Sequence, residues 1–139
     1  SDWPYRSDEY WDLHGEVGNG IYIVTAYHKD MELTRAGQWF WDRYMAEYGE
    51  APTYSSFNGF GDALILATAA KNAGSTDYDA LVKELESGEF EFWAGTVTFP
   101  QGEGALWHQW TPPVLITQYT AAGQTQDEAQ LVYTFDYAP

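Results

Sequence analysis

A fold that mixes helices and strands, α/β or α+β, is predicted by three observations. Ile21 to Tyr27 is a nearly continuous β-prone run, the stretch from Ala36 to Leu85 repeats apolar residues at helical spacing, and from Phe90 onward the period falls to two. A continuous apolar run is the signature of a strand covered on both faces, so the first run is expected to be an interior strand of a parallel sheet.

The elements follow in order. Ser1 to Tyr5 reads as an extended start, with Pro4 restricting Trp3. Ser7 is a suitable N-cap for a short helix, Asp8 and Glu9 suit its positive end, and Gly15 suits its stop. Gly18, Asn19 and Gly20 form a turn into the first strand. Asp30 or Thr34 caps the next helix, whose Trp39, Phe40, Tyr44 and Tyr48 fall on one side and are assigned to the core. Gly49 closes that helix in the left-handed conformation and Pro52 blocks its continuation. A second helix presents Phe60, Ala63, Leu64, Ala67 and Ala70 as its stripe, widened by Ile65 and Leu66, and stops at Gly74. So apolar a helix is expected to be buried. Ser75 to Asp77 caps a third helix, Tyr78 to Leu85, which Ser87 and Gly88 end. Short strands around Ala94 and Gly95, at Val114 to Tyr119 and at Leu131 to Phe135 complete the chain, with a loop at Pro100 to Gly104 and a break at Pro112 and Pro113.

A length of 139 residues suffices for one domain with a real core and is too short for two full domains. The net charge of -15, from 21 acidic against 6 basic residues, excludes a nucleic-acid partner, because phosphates need lysine and arginine to neutralise them. The acidic excess reads as a solvated surface rather than a cation site. Cysteine is absent, which rules out disulfides and thiolate metal sites. No apolar run approaches twenty residues.

Catalytic signatures are missing. His14, His28 and His108 are isolated and read as surface or loop residues, with no metal-ligand spacing among them. No nucleophile elbow, Walker loop or dinucleotide fingerprint occurs. The carboxylates are scattered, and a glycosidase pair such as Glu89 with Glu103 would be an arbitrary choice. Aromatics are the more informative excess, with 7 Trp and 11 Tyr offering flat apolar faces with polar edges. Trp3, Tyr5, Tyr54, Phe57, Trp107 and Trp110 stand in segments read as loops or turns, where ligand contact and structural filling are equally expected.

The succession Phe40, Tyr44, Tyr48-Gly49, Pro52, then Phe60-Gly61-Asp62-Ala63 with Leu66-Ala67, then Ala73-Gly74-Ser75 with Asp77 resembles a known family. So do Leu81 to Leu85, Phe92 with Gly95 to Phe99, and Val114 to Tyr119. The family is that of the substrate-binding proteins of ABC transporters for branched-chain amino acids, amides and urea. One departure stands out: Phe60-Gly61-Asp62 occupies the place of the family's usual Tyr-Asp-Ala.

The resemblance implies an α/β chain, part of a type I periplasmic-binding-protein fold with parallel-sheet lobes and packed helices, and a C-terminal set of short strands. The pieces matched correspond to the C-terminal portion of a two-lobed protein. Residues 1–28 would belong to its C-terminal lobe, 29–100 to N-terminal-lobe helices and a strand, and 101–139 to a crossover and the final strands, with hinges near Tyr27 to Asp30 and Phe99 to Gly104. Helices without their central strands would leave apolar surface for a partner, either the N-terminal part of the fold or a second copy of the chain. The resemblance further implies no catalysis and no cofactor, a small amino acid or amide held in an interlobe cleft, and a membrane permease as partner. The location would be periplasmic or extracellular, and a signal sequence would belong to an upstream part. For the ligand it points to Asp2 and Trp3, where relatives place an acidic group for an ammonium, and to Tyr54 and Phe57 as an aromatic wall. The rival reading from the residues is an extracellular carbohydrate-active enzyme or sugar-binding module, and a third is an interaction module with an aromatic interface.

Overall fold

A computed structural model describes residues 9–101, 107–110 and 112–135. The chain divides into two compact units. Unit 1 takes the described residues of Ser1–Met31 and Pro112–Pro139, and unit 2 those of Glu32–Thr111.

Unit 1 begins with α1, Glu9–His14, which runs into a 3-10 turn at Gly15–Gly18. α1 thus ends just before Gly15, the expected stop, which takes a φ of 51°, open to glycine without steric cost. β1, Tyr22–Thr25, pairs with β4, Val114–Gln118, and β4 pairs with β5, Gln130–Phe135, all antiparallel. The order β1-β4-β5 corrects the expected parallel sheet and leaves β1 at an edge. Its burial alternates: Ile23 and Thr25 are buried while Tyr22 and Val24 are more than half exposed. The apolar run therefore reflects the strand preference of β-branched and aromatic residues rather than burial on two faces. The inner face of the sheet carries Ile23, Thr25, Leu115, Thr117 and Tyr119. Tyr10, Tyr119, Ile23 and Ala129 form a core cluster with Trp11 and Ile21 against it. Trp11 Nε1 donates to the Gln124 carbonyl at 2.7 Å, satisfying the one polar atom of an otherwise apolar side chain.

Unit 2 is built from helices. α2, Arg35–Tyr48, starts at Thr34, whose Oγ1 accepts from Gly37 N–H, and ends at Gly49 in the left-handed conformation, φ 72°. The same Thr34 hydroxyl donates to the Phe92 carbonyl at 2.6 Å, and Thr34 N–H donates to the Trp93 carbonyl. One residue thus caps the helix and fastens it to the hairpin of β2, Phe90–Phe92, and β3, Gly95–Val97. α3, Tyr54–Ala73, is capped by Thr53 and closed by Gly74. α4, Tyr78–Ser87, is capped by Asp77, whose carboxylate accepts from Asp79 and Ala80 N–H.

Two expectations need correction here. Trp39 and Tyr48 are not core: they are 57% and 65% exposed. The buried stripe of α3 is Phe57, Gly61, Ile65 and Ala69, rotated from the expected Phe60, Ala63, Leu64, Ala67 and Ala70. Helical spacing defines sides of a helix, and where most positions are apolar it does not select which side is covered.

Candidate functional site

Tyr54 and Phe57, expected in a loop ahead of the second helix, lie in the first turn of α3 itself. Thr53 Oγ1 accepts from Ser56 N–H at 3.2 Å and lies 3.1 Å from the Ser56 hydroxyl, which fixes where the helix starts. Three residues apart, the two aromatics have different surroundings. Phe57 is fully buried, its ring centre 5.4 Å from that of Phe40, 5.0 Å from Trp93 and 6.3 Å from Trp41. Trp93 in turn donates through Nε1 to Asn58 Oδ1 at 3.0 Å. Tyr54 is half-buried. Phe57 therefore forms the packed base of the start of α3, and Tyr54, in the same first turn, keeps part of its ring and phenol exposed. Asp2 and Trp3 lie outside the described residues.

Unit 2 also holds a concavity that the sequence reading did not find. A cavity of about 340 Å³ is lined by Tyr78, Val82 and Leu85 of α4, by Phe99, and by the polar pair Glu86 and His108. His108 Nε2 lies 2.8 Å from Glu86 Oε1. A hydrogen bond from the Gln101 amide holds the Glu86 carboxyl below the usual glutamate range; desolvation opposes it, and the hydrogen bond and charge of the His108 ring add to the lowering. The amphipathic spacing of Tyr78, Val82 and Leu85 marks this side of α4; no local pattern links Glu86 to His108.

In unit 1 a concavity of about 440 Å³ lies beside Tyr10, His14 and the Gly18 to Ile21 turn. Tyr10 donates to the Gly18 carbonyl at 3.1 Å. His28 stands in a loop, one of the two places expected for it, but is buried, with Nε2 3.1 Å from the Ala129 carbonyl and Nδ1 accepting from Asp30 N–H at 3.3 Å. Asp30 Oδ2 also lies 3.5 Å from Nδ1, and these contacts tie the loop to the Ala129 segment, a structural role. His14 is exposed, its ring 4.8 Å from that of Tyr10. Among the described residues no group of three His, Asp or Glu is placed to hold a metal ion.

The sequence pattern of the periplasmic binding protein family matches residues 3–133. The chain belongs to that family. It is a family of binding proteins and not of enzymes, which upholds the expectation of a non-catalytic chain. Similar solved structures include an amino acid ABC transporter substrate-binding protein from Pseudomonas fluorescens, at 19% identity and a TM-score of 0.73, covering 95% of this chain and 34% of that one. A leucine binding protein from Thermotoga maritima shares 18% identity at a TM-score of 0.70, over 95% and 35% of the two chains. A branched-chain amino acid transporter substrate-binding protein from Streptococcus pneumoniae, in complex with isoleucine, shares 20% identity at 0.66, over 91% and 34%. At these identities the likeness is one of fold. The chain spans about a third of the length of these structures. A comparison with curated proteins gave no match. No helix among the described residues is long and apolar enough to cross a membrane.

Proposed function

We propose that this chain is the C-terminal portion of the substrate-binding component of an ABC transporter, which takes up a small amino acid or amide outside the cytoplasm and presents it to a membrane permease. The observation that carries the reading is the family match over residues 3–133, supported by the fold likeness to several amino-acid-binding proteins. In this reading the ligand is held in a cleft between two lobes that close on it about hinge segments. Residues 1–28 serve the C-terminal lobe, 29–100 the N-terminal lobe, and 101–139 the crossover and final strands.

The ligand contacts proposed are Asp2, Trp3 and Tyr54; Phe57, fully buried, would serve the aromatic wall only as the packing behind Tyr54. Asp2 supplies the charge that an ammonium group needs, and Trp3 a flat apolar face beside it. Tyr54 supplies a ring edge at the start of α3, and Phe57 backs it from the core. Such a division suits a ligand with an ammonium and an aliphatic side chain.

Thermal denaturation in the presence of leucine, isoleucine, valine, small amides, urea and a set of mono- and oligosaccharides tests the proposal. A ligand at a hundred times its Kd stabilises by about 2.7 kcal/mol, which is several degrees for a domain of this size. A saturable rise with an amino acid or amide, lost in D2N and Y54A and without chemical change of the ligand, supports it. A rise with sugars alone, or release of shortened sugars, overturns it.

A further inference from the structure

The cavity beside α4 joins an apolar wall to one ion-pairing end. Val82 and Leu85, three residues apart on one side of α4, are half-buried, and Phe99 joins them from the segment after β3. Tyr78, one turn earlier on α4, is 77% exposed and forms the open side. At about 340 Å³ the cavity falls in the range of about 300–1,000 Å³ that takes small molecules.

Its polar end is set by His108. Among the described residues this is the only one other than glycine with a positive φ, 54°, a conformation that a residue with a Cβ adopts at a cost. Its N–H donates to the Pro100 carbonyl at 3.1 Å, and its Nε2 lies 2.8 Å from Glu86 Oε1. The Trp107 ring lies against it, with centres 4.4 Å apart. Backbone strain of this kind persists where the surroundings over-determine it, and it collects at binding sites.

The chemistry of the cavity selects an occupant. The Glu86 side chain is 21% exposed, and its carboxyl, held below the ordinary glutamate range chiefly by Gln101, is charged at neutral pH. A carboxylate offers about four acceptor positions, of which Gln101 and His108 use two. None of the described residues lining the cavity is lysine or arginine, so the charge has no full cation beside it. Val82, Leu85 and Phe99 offer no hydrogen bonds, which suits a sugar poorly, and the carboxylate repels an anion. An ammonium group meets both conditions: it donates to the remaining acceptor positions, and its charge suits the faces of Tyr78 and Phe99.

We propose that this cavity is a binding site for a small organic cation, a primary ammonium on a short aliphatic or aromatic body. Glu86 receives the ammonium, Val82, Leu85 and Phe99 receive the body, and His108 holds the carboxylate in place. The site shares no residue with the ligand contacts proposed above and does not depend on them. The net charge of -15 raises the local concentration of any such cation.

Calorimetric titration of the 139-residue chain tests this, near neutral pH and in about 0.15 M salt to screen diffuse attraction. The probes are benzylammonium and butylammonium, with benzyl alcohol and butanol as neutral counterparts and phenylacetate as an anion. Both cations should saturate one site and bind about tenfold or more tighter than the alcohols, while the anion should not bind. E86Q keeps the shape and removes the charge, and it should bring the cations down to the level of the alcohols. V82W fills the cavity and should abolish binding of cations and alcohols alike. Should V82W not fold, NMR shifts at Leu85 and His108 on adding benzylammonium to the unsubstituted chain locate the site instead. No saturable binding, or equal affinity for cation and alcohol, overturns the proposal and leaves the Glu86–His108 pair as a tie between α4 and its neighbouring loop. Cation binding that persists in E86Q also overturns it, and its loss in D2N would assign it to the ligand contacts proposed above. The response of E86Q to amino acids and amides should equal that of the unsubstituted chain, so the failure of either reading is seen separately from the other.

Discussion

Every buried polar or charged residue described, Thr25, His28, Thr117 and Gln126, belongs to unit 1, whereas the buried side chains described in unit 2 are Pro52, Phe57, Ile65, Ala69, Phe90, Phe92, Trp93 and Val97. Unit 2 is thus stabilised by aromatic contact, which is non-directional and tolerates repacking. Unit 1 depends on whether each buried donor and acceptor is matched. Thr25 is: its hydroxyl donates to the Tyr27 carbonyl and accepts from Tyr27 N–H. His28 is matched at both nitrogens. Among the described residues, Thr117 Oγ1 and both polar atoms of Gln126 have no hydrogen-bond partner. A hydrogen bond contributes about 1 kcal/mol net, while an unmatched buried group costs about 1–3 kcal/mol, so the core of unit 1 is the one that small changes can move in either direction.

The largest expected effect comes from charging the inner face of the unit 1 sheet. Ile23 is 1% exposed, and I23D should cost several kcal/mol, on the order of the stability of a small domain, with loss of cooperative unfolding by circular dichroism. An unchanged melting temperature would show that the edge strand is peripheral. In unit 2, F57A should cost about 3–5 kcal/mol in urea denaturation, while F57L should cost less than about 1.5 kcal/mol because an aromatic cluster can close around it. Equal losses would mean that the aromatic core is as exacting as the polar one.

A smaller and more discriminating pair uses one substitution at two sites in unit 1. T25V should destabilise by about 1 kcal/mol because it breaks two hydrogen bonds, and T117V should stabilise by about 1 kcal/mol because it removes an unmatched hydroxyl. The same sign at both sites would contradict the division between matched and unmatched groups.

The smallest effect concerns acid. Glu86 in unit 2 and Glu128 in unit 1 are both held below the usual glutamate value of 4.5, the first chiefly by Gln101 and the second chiefly by Thr125 N–H. A carboxylate whose value is lowered on folding contributes stability that is fully present above its unfolded value and is lost as pH falls through the folded one. E86Q and E128Q should therefore reduce the loss of stability below about pH 4.5 and leave its pH dependence near neutrality unchanged. Both groups lie near the surface, so the change should be slight, and 0.5 M salt should shrink the part of it at Glu86 that comes from His108.

What could be read in the sequence was what is decided within a few residues. Thr34, Gly49, Gly74 and Asp77 begin or end helices through bonds to neighbours four or fewer positions away, and each was legible. The start of α3 was not, because Ser55, Ser56, Asn58 and Gly59 are weak helix formers that hide the cap at Thr53. The direction of the sheet was not, since the partner of β1 is β4, near the other end of the chain, and an apolar run carries no sign of its partner's direction. His28 escaped for the same reason, its carbonyl partner on Ala129 being 101 residues away. At the candidate site, Tyr54 and Phe57 were found as a pair, but that Phe57 forms the packed base follows from Phe40, Trp41 and Trp93, which the chain brings in from elsewhere.

The sequence of unit 2 is inserted within that of unit 1, and this sets a timetable for synthesis. Gln118 Nε2 reaches the Gly20 carbonyl across 98 residues, so the first strand leaves the ribosome long before its partner exists. At about 5–20 residues per second that wait lasts about 5–20 s, far longer than a helical unit needs to form. Through that interval Ile21 to Thr25 is an apolar strand still without its β4 partner, a template for other strands it meets. Slower translation between Glu32 and Pro112 should therefore lower the soluble yield, and a chaperone that shields extended apolar segments should restore it.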